Sequence, residues 1–157
     1  MIEYKKIDRT HFPHYDLIPM RFCVSSYYRI DKLNNGLGGF SLVETPVEPY
    51  LKDFCTGDDE SVSRWEKRWD ISNWAFFMAF YGERPSSFSP IGENGSSSRR
   101  YLPVPVGGVT AASRTKGVNM LDQRDDLAVL WDLRVDEEYK HKGIGQTLFN
   151  MLQRAGI

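Results

Sequence analysis

The chain has 157 residues, 41% of them hydrophobic, and a formal net charge of −1, values that fit one soluble globular domain over residues 1–157. The near-neutral charge argues against a nucleic-acid-binding or polybasic membrane-surface protein, and no run of about 18 apolar residues is present to cross a bilayer. Two cysteines, Cys23 and Cys55, with no Cys-x-x-Cys and no nearby histidine pair, point to a reducing cytoplasm and to no metal site.

The first nine residues alternate charge with isoleucine and tyrosine and lack an apolar signal core. Residues 22–30 (FCVSSYYRI) are rich in aromatic and β-branched side chains and predict an early strand. Residues 34–39 (NNGLGG) predict a turn. A second strand is expected at 40–43, closed off by Pro46 and Pro49. Residues 50–54 and 60–69 are expected to be helical, the latter from Val62, Trp65, Glu66 and Trp69 at helix-like spacing. Residues 70–73 break that pattern before a strand at 74–81 (WAFFMAFY).

Between Arg84 and Val106 the composition shifts. Six serines, four prolines and two glycines in PSSFSPIGENGSSSRRYLPVP disfavour a continuous helix or central strand. Residues of about 85–105 therefore read as an insertion in the turn between two core strands. Without it, residues 82–84 would join 106–112 as a plain β-hairpin.

The most informative stretch is 128–154, AVLWDLRVDEEYKHKGIGQTLFNMLQR: an apolar strand, a charged turn, a Gly-x-Gly corner and an amphipathic helix. Gly143 and Gly145 let the backbone turn sharply and let a ligand approach the amides. The first N–H groups of the helix have no intrahelical partner and sit at the positive end of its dipole. A pyrophosphate suits such a corner. Lys140 and Lys142 add positive charge, and His141 one more donor. The same residues also suit an ordinary strand-to-helix turn in which Glu137 and Glu138 balance the lysines. Gln146 and Thr147 follow Gly145, so the lysine of a P-loop is missing. Leu148 and Phe149 stand where a dinucleotide fingerprint needs its third glycine.

Lys140-His141-Lys142-Gly143-Ile144-Gly145, preceded by Asp132-Leu133-Arg134-Val135, resembles motif A of the GNAT N-acetyltransferases. Lys140 stands where that family usually has Gln or Arg. The resemblance implies an α/β fold, an acyl-CoA N-acyltransferase-type mixed sheet flanked by helices. It also implies acetyl-CoA binding, with the pyrophosphate on the amides of Lys142 to Gln146 and the pantetheine arm paired along Leu133, Arg134 and Val135. One of those three N–H groups would stabilise the developing oxyanion. A carboxylate would accept the ammonium proton, with Asp132 first and Glu83 and Asp126 behind it. Asp132 equally suits a fold-stabilising partner for Arg134.

Residues 48–54 (EPYLKDF) and 74 onward further resemble the streptothricin acetyltransferase branch. That implies a small-molecule primary amine as acceptor, possible antibiotic resistance, and an acidic approach from Asp53, Asp58, Asp59 and Glu60. The family continues after the helix with further strands, which carry the tyrosine that often protonates the departing thiolate. On this resemblance the chain is expected to lack those last strands. It would expose the edge of its last parallel strand, at Val129, Leu133 and Val135, and associate as a homodimer. The alternative is a non-catalytic acetyl-CoA-binding or oligomer-forming fragment.

Overall fold

The computed structural model describes residues 1–54, 61–85 and 101–156. Six strands and three helices follow the order β1 (Ile2–Lys6), α1 (Phe12–Tyr15), β2 (Arg21–Lys32), β3 (Phe40–Asp53), α2 (Val62–Arg68), β4 (Ala75–Pro85), β5 (Tyr101–Ser113), β6 (Ala128–Val135) and α3 (Ile144–Arg154). A four-stranded sheet has the order β1-β4-β5-β6, and β2-β3 forms a separate two-stranded ribbon. All pairings are antiparallel. The expectation of a parallel edge strand is thus corrected: β6 runs antiparallel to β5.

Strand β4 explains why the sheet is buried on both faces. Ala75, Phe77 and Ala79 face α3, while Phe76, Met78 and Phe80 face α1 and α2, the alternation that a pleated strand imposes. Ile144, Leu148 and Leu152 recur every four residues and seat α3 on the first face. Gly156 follows the helix with φ +66, the left-handed residue that commonly ends one.

Two adjacent glycines in β5 set the distances of both layers. A Cβ on Gly107 would lie 3.0 Å from Ile144 Cγ2, and one on Gly108 would lie 2.5 Å from Tyr15 Cε2. The first glycine admits α3 and the second admits the Tyr15 ring, each by the close approach a missing side chain allows. On the Tyr15 face all four tryptophans cluster, with Trp131 5.0 Å from Trp74 and 4.8 Å from Trp69 between ring centroids. Trp131 occupies the register shift between the Thr110–Asp132 and Ala111–Leu130 pairs, an extra residue of the kind that makes a β-bulge.

Several expectations are corrected. Strand β3 does not stop at Pro46 but runs through Pro49 to Asp53, because the ribbon has only two strands and its register shifts opposite Ser25. Prolines are tolerated at edges and bulges. Residues 50–53 are therefore strand, not helix, paired with 21–24. Strand β1, which the charged N-terminus did not announce, pairs with β4. The expected insertion is shorter at its C-terminal end: Tyr101 pairs with Pro85 and β5 begins there. Residues 86–100 lie outside the described residues.

Candidate functional site

Strand β6 delivers its end to the candidate site with a defined phase. The N–H of Asp136 donates to the carbonyl of Val106 at 2.9 Å, in register with the Gly107–Val135 and Gly108–Arg134 pairs. Bonded and unbonded pairs alternate along an antiparallel ladder. Asp132 and Arg134 consequently turn their backbone groups to β5. Leu133 and Val135 turn theirs to the outer edge, where no described strand pairs. A cleft of about 180 Å³ lies along that edge, with Pro19, Met20, Arg21, Phe22 and Phe54 opposite Leu133 and Val135. Phe22 and Phe54 stack at 5.3 Å, so the far wall is largely apolar.

After Val135 the chain tightens. Asp136 Oδ1 accepts the Glu138 N–H at 3.1 Å and caps a 3-10 turn, Glu137–Tyr139. His141 and Gly143 take left-handed angles, φ +60 and +77. Gly143 caps α3, and its carbonyl accepts both the N–H and the Oγ1 of Thr147 at 3.0 Å. The N–H groups of Ile144, Gly145 and Gln146 precede that first helical bond, so they have no acceptor within the helix. Together with the dipole they form an anion-binding end. It adjoins the free edge of β6: a Cβ on Gly145 would lie 3.6 Å from Val135 Cγ2. The Gln146 side chain turns away and donates to Asn150 at 3.0 Å.

The basic side chains do something other than expected. Lys140 Nζ pairs with Glu137 and donates to the Arg21 carbonyl at 2.9 Å, which ties the turn to the base of the β2-β3 ribbon. Lys142 Nζ donates to the Glu138 carbonyl at 2.8 Å and sits 4.9 Å from the Tyr139 ring centre. Both ammonium groups fold back on the turn. His141 is exposed.

Asp132 takes the second of its two expected places, beside Arg134. Its Oδ2 accepts from Tyr15 Oη and from Arg134 Nε, each at 2.7 Å, and Thr110 Oγ1 donates to Tyr15 Oη at 3.0 Å. All four residues are buried. Arg134 further lies 5.1 Å from the Tyr15 ring centre. Burial, and next the Asp132 charge, push the Tyr15 phenol well above its ordinary value, so the hydroxyl stays a donor to Asp132. In this position Asp132 is a buried partner of Arg134, not an open base. The physical reason is the two-residue spacing, which puts Asp132 and Arg134 on one face over Tyr15, where the bulge adds Trp131.

The described carboxylates among the other candidates are engaged elsewhere. Asp126 lies beyond the opposite end of β6, about 23 Å from Val135 at 3.3 Å per residue, and pairs with Arg124 at 2.6 Å. Asp53 pairs with Arg21 at 2.6 Å. The Glu83 side chain, and Asp58, Asp59 and Glu60 entirely, lie outside what is described. Among the described residues no group of three His, Cys, Asp or Glu side chains could hold a metal, and no helix is long and apolar enough to cross a membrane.

Sequence reasoning missed Tyr15, Thr110 and the 19–22 segment. The only available signal was the Gly107-Gly108 pair within a strand, which announces a close approach but not by what.

The antiparallel sheet flanked by helices, with strand, turn and helix in this order, is the fold of the GNAT acetyltransferases. Two solved structures share it. One is a nourseothricin acetyltransferase, at 17% identity and TM-score 0.56 over 99% of this chain and 66% of that one. The other, assigned as a streptothricin acetyltransferase of Bacillus anthracis strain Ames, was solved in complex with acetyl coenzyme A; it matches at 15% identity and TM-score 0.50 over 99% and 68%. This chain thus spans about two thirds of the length of each. No protein-family model and no curated protein matches its sequence.

Proposed function

We propose that the chain binds acetyl-CoA along the outer edge of β6 and at the amino end of α3. It would form part of a single N-acetyltransferase domain whose acceptor is a primary amine of a small molecule of streptothricin type. One observation carries this reading: the outward backbone groups of Leu133 and Val135 adjoin the N–H groups of Ile144, Gly145 and Gln146, which have no acceptor within the helix. An amide-bearing arm that ends in a pyrophosphate matches such a row of donors and acceptors.

Acetyl-CoA would supply an activated acetyl thioester. The edge groups of Leu133 and Val135 bond and orient the pantetheine arm as an added strand would. An edge N–H would stabilise negative charge on the acyl oxygen as the neutral amine attacked, and the departing thiolate would take up the second amine proton. Pro19, Met20, Phe22 and Phe54 shield the cleft from water on the far side. Asp132 takes no proton in this account. It anchors Arg134 and Tyr15 behind the strand, and the ammonium proton leaves to solvent at the cleft mouth.

The burial of Asp132 also favours a second reading, an acetyl-CoA-binding chain without turnover. Calorimetric titration with acetyl-CoA, followed by thiol release with a panel of amines including streptothricin, separates the two. Binding with amine-dependent thiol release supports the transferase. Binding without release supports the second reading, and absence of binding refutes both.

A further inference from the structure

The β2-β3 ribbon has two unlike faces. Beyond its register shift, Tyr28, Ile30, Phe40 and Leu42 project from one face through the Tyr28–Glu44, Ile30–Leu42 and Lys32–Phe40 pairs. The other face carries Tyr27 and Val43, 50% and 37% exposed, beside Ser41, Thr45 and the Arg29–Asp31 pair, joined at 2.9 and 3.1 Å. An apolar face of this size is ordinarily covered by another layer, yet neither core cluster includes a ribbon residue. Tyr28, Ile30, Phe40 and Leu42 are 62%, 64%, 65% and 65% exposed, and Tyr50, nearer the base, is 53% exposed. A two-stranded ribbon in water is marginal unless another layer packs on it.

We infer that this apolar face is a dimer interface whose occupant is the same face of a second copy of this chain. The area supports that occupant. With aromatic side chains presenting about 150–250 Å² each and the aliphatic ones somewhat less, the exposed fractions of Tyr28, Ile30, Phe40 and Leu42 amount to about 500 Å² per copy. Two copies would bury about 1,000 Å², the area that a specific interface has to reach. Charge supports it too. A two-fold axis lying across the ribbon at the Ile30–Leu42 pair brings Lys32 level with the partner's Glu44, one strand over and within reach of long side chains at sheet spacing. The same operation pairs Glu44 with the partner's Lys32, so the contact closes on itself and stops at two chains. The inference is independent of the acetyltransferase reading, because the ribbon tip lies away from the cleft at its base.

Sedimentation equilibrium of the full chain from about 1 to 200 μM tests it, with a monomer–dimer equilibrium expected. Ile30→Glu with Leu42→Glu should weaken the dimer at least 100-fold while leaving the far-ultraviolet spectrum unchanged. Lys32→Glu should weaken it about fivefold, and adding Glu44→Lys should restore it. A wild-type monomer across that range overturns the inference, as does a dimer that survives Ile30→Glu/Leu42→Glu. A charge swap that fails to restore association overturns the two-fold placement and the inference with it. Unfolding of Ile30→Glu/Leu42→Glu at low concentration would show that the chain itself covers this face, which is equally contrary.

Discussion

Replacing Asp132 by alanine separates its buried role from the role of base. The Asp132 and Arg134 side chains are 5% and 1% exposed, and one carboxylate oxygen receives both the arginine and the Tyr15 hydroxyl. Asp132→Ala takes from Arg134 a buried carboxylate that it donates to, and from the Tyr15 hydroxyl its acceptor, in a dry site. Breaking one side of such a buried pair costs about 3–5 kcal/mol, a large share of the total stability of a domain. At about 3 °C per kcal/mol for a chain of this length, Tm should fall by about 10–15 °C. Asp132→Ala/Arg134→Met removes both charges and should recover much of that loss, since deleting one member of a buried pair costs more than replacing both. Thermal and urea unfolding of wild type, both single variants and the double variant give the coupling energy directly. A Tm within about 3 °C of wild type for Asp132→Ala, together with abolished acetyl transfer, would refute the buried-partner account and restore Asp132 as a base.

The two corner glycines should respond differently. Gly145→Ala places its Cβ at ordinary contact distance from Val135, so stability should stay within about 1 kcal/mol, while acetyl-CoA affinity measured by calorimetry should fall more than tenfold; unchanged affinity would move the pyrophosphate elsewhere. Gly143→Val forces a β-branched residue to φ +77, which should cost about 1–3 kcal/mol in urea unfolding even without ligand. Excision of residues 86–100, with a short glycine-asparagine turn joining Pro85 to Tyr101, should hold Tm within a few degrees, because those residues are already paired and shortening a loop gains only about 1 kcal/mol. Insoluble or unfolded protein after excision would refute the reading of this segment as an insertion.

What the sequence determined by itself was local. The continuous apolar run of β4, the four-residue spacing on α3 and the left-handed Gly143 and Gly156 each follow from a few neighbouring residues, and their elements stand where those residues require. The strand, turn and helix of the candidate site were legible for the same reason, because backbone donors at a helix start depend on chain geometry and not on distant partners. Tertiary structure decided the rest. Residues 50–53 join a strand because residues 21–24 lie beside them, a pairing energy that outweighs any local helical preference. Lys140 reaches the Arg21 carbonyl across 119 positions of sequence, and Asp132 meets Tyr15 across 117. Side chains that look free to bind a phosphate or take a proton in a linear reading are claimed by groups that only the fold brings near, because a buried charge must find a partner wherever the packed chain supplies one.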